Sequence, residues 1–262
     1  MKLSYLKKFL YIALALFSLL VIIISFFSIN LPDYSQLKNY KPSIMTRVHN
    51  SSGELVKEYS NEYRVFIPID AVPVIVKSAF ISAEDKNFYR HIGVDLLGIS
   101  RAFINNIKNL SSNKRPQGAS TITQQVAKNF LLTDELSLTR KIKEAILAIK
   151  IETTFSKDKI LELYLNQIYL GSGTYGVAAA SNRYFKKSLQ EITIEEAAYL
   201  AALPKAPSNY HPVRNYDNAI ARRNWVLSRM YSNNYINEDE WRASSLKELK
   251  TCLLYTSDAA DE

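Results

Sequence analysis

A single cysteine, Cys252, in 262 residues excludes a disulfide framework and any cysteine-based zinc site. Only three histidines occur, His49, His91 and His211, and no H-E-x-x-H, which argues against a zinc hydrolase. Walker A and D-x-D patterns are missing, so a transferase would need a substrate that arrives already activated rather than through bound ATP. Seven glycines and eight prolines are too few for a collagen-like or low-complexity chain. Strand-type alternation is scarce and no internal repeat is visible. What is present is 47% hydrophobic residues, enough for one sizeable core, and 33 Lys+Arg against 25 Asp+Glu. The resulting charge of +8 favours anionic partners: phosphates, nucleic acid or an acidic membrane surface.

Phe9–Ile29 is an uncharged run broken only by Ser18, Ser25 and Ser28, and Lys2, Lys7 and Lys8 precede it. At about 1.5 Å per residue it crosses the roughly 30 Å hydrocarbon core of a bilayer. A cleaved signal peptide would have a shorter apolar run and an A-x-A-like site, and Phe26–Pro32 offers none. The expected organisation is a cytoplasmic segment at 1–8, a transmembrane signal anchor at 9–29 and an external remainder, because the lysines lie before the span. A linker with short strands is expected at 30–67, a mainly α domain at 68–212, and a connector toward a further C-terminal domain at 213–251. Residues 252–262 resemble the translated read-through of a sequencing adapter and are set aside as an artefact. Without that tail, 33 basic side chains face 22 acidic ones, a charge of +11.

Several clusters could carry chemistry. Glu84-Asp85 closes a helix that starts after Pro73 and has Val76, Ala79, Phe80 and Ala83 on one face. The field at a helix C-terminus disfavours a carboxylate, raising its pKa toward that of a general base or acid. The plain alternative is a solvated pair beside Lys86 and Arg90. Gly118–Asn129 opens a helix capped by Ser120 or Thr121, whose free N–H groups would form an anion site. Thr121, Gln125 and Lys128 fall on one polar stripe of it, which could equally be an ordinary wet face. Arg140-Lys141-x-x-Glu144 sits opposite an Ile142/Ala145/Ile146/Ile149 stripe and by itself reads as a surface ion pair. Gly171–Gly176 matches G-x-G-x-x-G but follows a helical pattern, so it is not a dinucleotide site. Ser111–Lys114 matches S-x-x-K without any K-[ST]-G partner.

Taken in order, these segments resemble glycosyltransferase family 51, the peptidoglycan glycosyltransferase module of class A penicillin-binding proteins and monofunctional transglycosylases. The stretches that carry the resemblance are Glu84–Gly93, Gly118–Gln125 with Lys128-Asn129, Arg140–Glu144, Lys159–Asn166 running into Gly171–Gly176, and Ala201–Ser208. Ala221–Met230 and Tyr235–Trp241 resemble the connector of bifunctional class A proteins, so the chain is expected to be the N-terminal part of one. The resemblance implies a lysozyme-like α fold with a small membrane-proximal jaw, acting on lipid II and the nascent glycan strand. It assigns Glu84 as the base and Glu144 as a second acid. Lys128, Arg140 and Lys141 would face the leaving pyrophosphate, where the resemblance leaves room for a divalent cation (Mg2+ or Mn2+) and implies no nucleotide cofactor. Asp85, Phe88, His91, Thr121, Gln125, Asn129, Lys205 and Ser208 are implied at the donor and acceptor subsites. The implied setting is the outer face of a bacterial plasma membrane, among cell-wall synthesis proteins, with no nucleic-acid partner. The competing readings are a lysozyme-like lytic hydrolase and a non-catalytic lipid-binding scaffold.

Overall fold

The computed structural model describes residues 2–29, 31–40, 46–49, 52, 55–59, 63–109, 118–132 and 137–253. The Ser111–Lys114 match and the tail beyond Leu253 lie outside them. Among the described residues the architecture is mainly α, as the pattern predicts. The first helix, α1 (Lys2–Ser28), contains a stretch, Lys7–Ser28, long and apolar enough to cross a membrane. After it a short turn, Ser35–Asn39, is pinned to the body of the domain. Leu37 is buried there, the Tyr40 hydroxyl donates to Gln167 Oε1 at 2.8 Å, and its ring meets Phe130 edge-on at 4.7 Å. Strands β1 (Thr46–His49) and β2 (Leu55–Tyr59) pair antiparallel, and β3 (Tyr63–Arg64) runs parallel to β4 (Thr174–Tyr175).

Helix α2 (Val74–Glu84) begins directly after Pro73, whose fixed φ and missing N–H suit a helix start. Its Val76, Ala79 and Phe80 are buried as the stripe predicts. Then follow α3 (Leu96–Lys108), α4 (Ile122–Leu131), α5 (Leu138–Thr154), α6 (Lys157–Gln167), α7 (Val177–Phe185), α8 (Ile194–Ala202), α9 (Tyr216–Ser232) and α10 (Glu238–Leu246). Helix α8 forms the centre, an uninterrupted buried run from Ala197 to Leu203, with α2 and α9 packed against it. Helix α4 lies between α5 and α6. Helix α3 is the exception to inward packing: only Ala102 is buried, while Leu96, Leu97, Phe103, Ile104 and Ile107 are exposed.

Two placements differ from the sequence pattern. The core continues past Pro212, because α9 buries Ala219, Val226, Leu227 and Met230 against α8 and α2, in the segment expected to be a connector. In α5 Ile146 is buried as the stripe predicts, but Arg140, Glu144, Leu147, Ala148 and Ile151 are buried with it, whereas Ile149 is exposed. The Arg140–Glu144 pair, read as a surface feature, is therefore interior. Opposite charges that neutralise one another can occupy a helical face otherwise reserved for apolar side chains.

Gly93 shows how closely the parts approach. Its φ is +92°, and a Cβ there would lie 2.6 Å from the backbone C and O of Ala148 in α5. Gly93→Ala is expected to lower stability by roughly 2–3 kcal/mol, through both the left-handed backbone and the clash. Thermal unfolding of the detergent-solubilised chain reads this directly.

Candidate active site

The two acids at the end of α2 take different directions. Asp85 leaves helical geometry (φ −154°, ψ 76°), which turns its side chain inward. Its carboxylate accepts the Ile122 N–H at 3.0 Å and contacts His91 Nε2 at 2.9 Å. A carboxylate at a helix N-terminus is favourable because the amides there are unpaired and carry partial positive charge. Thr121 completes that cap. Its Oγ1 accepts the Gln124 N–H at 3.1 Å, and the Gln124 side chain accepts the Thr121 N–H at 2.9 Å. The Thr121 hydroxyl also donates to the Gly93 carbonyl at 2.6 Å. Of the amides at this helix start, those of Ile122 and Gln124 are thus engaged by Asp85 and Thr121.

Phe88 is 0% exposed and lies under the Lys157 ammonium, 4.6 Å from its ring centroid. Lys157 also donates to the His91 carbonyl at 2.7 Å and to Glu152 at 2.6 Å. Asp85, Phe88, His91 and Thr121, which the resemblance assigns to the subsites, spend their polar atoms and rings on this clamp. They fix the loop that follows Glu84.

Glu84 itself stays half-buried, and its Oε2 accepts a 2.8 Å hydrogen bond from Gln125 Nε2 in α4. Burial raises its pKa above the usual carboxylate range. The Gln125 hydrogen bond and the charges of Arg222 and Lys205 act in the opposite sense, and Asp85 adds to the rise. The upward direction matches the sequence expectation, but its main cause is desolvation rather than the helix field. Beneath it lies Tyr164, fully buried, whose hydroxyl has no hydrogen-bond partner among the described residues. Burial first, then the charges of Glu84 and Asp85, hold that phenol well above its ordinary range.

The cations arrive from three elements. Lys128 lies one turn beyond Gln125 on α4, with Asn129 exposed next to it. Lys205 is exposed in the turn after α8, and Ser208 is exposed shortly beyond, its carbonyl accepting the Asn215 amide at 2.9 Å. In α5, Glu144 is 1% exposed, with Oε1 3.1 Å from Arg140 Nε and Oε2 paired to the Lys141 ammonium. Lys141 is half-exposed and also reaches Ser120 at 3.2 Å, joining α5 to the start of α4. Glu144 therefore holds two cations beside the start of α4.

Arg222 of α9 escaped the sequence reading. It is half-buried, its guanidinium sits 3.8 Å over the Trp225 ring, and its charge acts on Glu84. The adjacent Arg222-Arg223 on a helix that also carries core positions was the available signal. Among the described residues no three Asp, Glu, His or Cys side chains gather as a metal cage. Asp85 and Glu144 are moreover already paired, so these residues do not fit a resident divalent cation, and no chemical step is derived through one.

Comparison with known proteins shows the family of this chain. The family model described as Transglycosylase matches residues 52–231. Penicillin-binding protein 1A of Rickettsia felis is 53% identical over 240 residues, covering 88% of this chain and 30% of its own length. Penicillin-binding protein 1A of Escherichia coli is 47% identical over 211 residues, covering 80% and 24%. A crystal structure of penicillin-binding protein 1A from Haemophilus influenzae aligns with a TM-score of 0.48 at 27% identity, covering 81% of this chain and 22% of that one. The chain thus spans about 30% of the length of the first of these relatives. With well over half of its residues matched, the chain belongs to the transglycosylase family.

Proposed function

We propose that this domain is a peptidoglycan glycosyltransferase that polymerises lipid II, the undecaprenyl-pyrophosphoryl disaccharide-pentapeptide, at the outer face of a bacterial plasma membrane. The observation that carries this is Glu84: a half-buried carboxylate of raised proton affinity, oriented by Gln125 and flanked by Lys205 and Arg222. Glu84 takes the proton of the acceptor's GlcNAc 4-hydroxyl. That oxygen attacks the anomeric carbon of the donor's MurNAc from the face opposite its pyrophosphate, through an oxocarbenium-like transition state. The α-linked pyrophosphate becomes a β-1,4 bond, and undecaprenyl pyrophosphate departs with the charge of the broken C–O bond. Lys128, Arg140 and Lys141 offset that charge, and Glu144 keeps the last two in position.

A cleaved glycan carries no diphosphate, so these cations favour the polymerase over the lytic hydrolase. The span in α1 and the exposed apolar face of α3 suit a substrate delivered in a bilayer, and the lysines before the span favour a cytoplasmic N-terminus. The full chain in vesicles with labelled lipid II is expected to make long glycan strands and to leave preformed glycan intact, as read by gel separation of the products. Shortening of preformed glycan would support the hydrolase, and lipid II binding without polymer would support the scaffold.

A further inference from the structure

The core grips only the first part of α4. Ile122, Thr123, Gln124, Val126 and Ala127 are buried, whereas Lys128, Phe130 and Leu131 of the last turn are half-buried and Asn129 is exposed. The start of the helix is fixed by Asp85 and by the Thr121 cap. Its other end is met from a distant part of the chain. The Tyr40 ring, in the segment that follows α1, abuts Phe130 edge-on with the centroids 4.7 Å apart, a favourable arrangement for two aromatic rings.

Tyr40 is itself held in one orientation. Its hydroxyl donates to Gln167 Oε1 at 2.8 Å, and the Arg64 guanidinium donates to the same oxygen. Two donors thus occupy both lone pairs of that amide oxygen, and one of them is charged. Arg64 is fixed in turn by the Tyr175 ring, whose centroid lies 4.3 Å from its guanidinium, and by the pairing of β3 with β4. Gln167 ends α6, and Asn166 beside it exchanges two 2.8 Å hydrogen bonds with the Ile67 backbone. The ring that meets Phe130 is therefore backed by α6 and by the β3–β4 pair, which makes it a stiff abutment.

Successive residues of a helix are about 100° apart, so Phe130 and Lys128 project to nearly opposite sides of the same turn. Gln125, one turn earlier, shares the Lys128 face and hydrogen-bonds Glu84 at 2.8 Å. An abutment behind Phe130 is thus an abutment behind Lys128. We propose that Tyr40 is a positioning residue of the transfer reaction: its ring, seated on Gln167, holds the last turn of α4 so that Lys128 stands where the leaving diphosphate gathers charge. This rests on the reading of the domain as a lipid II polymerase. Tyr40 acts through Phe130 and not by contact with the substrate.

The test uses the full chain in vesicles with labelled lipid II. Tyr40→Ala is expected to lower kcat/KM about tenfold or more, because a small misplacement of a charge-stabilising group is costly in the transition state. Tyr40→Phe keeps the ring and should recover most of that loss. The decisive comparison places Tyr40→Ala on a Lys128→Ala background, where it should cost less than about twofold more, since the group it positions is already gone. A merely structural role would lower the amount of folded enzyme and so reduce activity by the same factor on both backgrounds. Phe130→Leu, a milder change on the other side of the contact, gives the same comparison should Tyr40→Ala fold poorly. Equal losses with and without Lys128 overturn the proposal, and so does a Tyr40→Ala chain as active as the wild type. Absence of polymer from the wild-type chain would instead overturn the functional reading, and this proposal with it.

Discussion

Glu84→Gln is expected to cut lipid II polymerisation by about a thousandfold or more while leaving the domain folded. Glutamine keeps the shape and can still accept the Gln125 N–H, but it cannot take a proton from a sugar hydroxyl. The raised pKa of Glu84 adds two consequences that separate catalysis from architecture. Activity needs the carboxylate ionised, so kcat/KM should fall as pH drops through a value above the ordinary carboxylate range, and a pH–rate profile locates that limb. For stability the sign is reversed. The folded state binds this proton more tightly than the unfolded state, so stability declines as pH rises from the unfolded pKa through the folded one. Above that window the ionised, desolvated group opposes folding, and Glu84→Gln should melt at or above the wild-type temperature near neutral pH. A variant that is inactive and clearly less stable would contradict the assignment of Glu84 as a desolvated base.

Glu144→Ala is expected to behave in the opposite way. Arg140 is 9% exposed and its guanidinium faces Glu144, so removing the carboxylate leaves a buried cation without compensation. Such a break costs roughly 3–5 kcal/mol, because the desolvation of the surviving charge is no longer offset. Denaturant unfolding should show that loss together with loss of polymerisation. Lys141→Ala removes a half-exposed ammonium and should cost no more than about 1 kcal/mol. Equal destabilisation by the two changes would show that Glu144 is not the centre of the pair.

The contrast between these two acids shows where sequence reasoning reaches and where it stops. Short-range signals are local in cause and were readable: Pro73 opens α2, Thr121 caps α4, and the run after Lys8 is long enough to span a bilayer. The inward face of α5 was not readable, because hydropathy treats Arg140 and Glu144 as outward residues when only their mutual neutralisation lets them face in. Glu84 and Asp85 are neighbours with similar chemistry, and only the backbone turn at Asp85 sends one to the Gln125 side chain and the other to the amide of Ile122. Arg222 is far from Glu84 along the chain, and its place beside the base depends on how α9 packs on α2. Residues 213–251 were expected to be a connector from the resemblance of Ala221–Met230 and Tyr235–Trp241, and a resemblance of that kind says nothing of which face of α9 is buried.

The way the chain leaves its apolar first helix bears on how the whole molecule is mounted. A span followed by a slack leash would let the catalytic head swing and tilt over a wide area of lipid. Here α1 lies against α5, and within twelve residues of its end Leu37 and Tyr40 fasten the chain to the head. On the function proposed above, the head would be mounted like a gauge on a post, its standoff from the bilayer set by covalent length, so that a sugar would meet Glu84 only when its own lipid stem stood at the matching height.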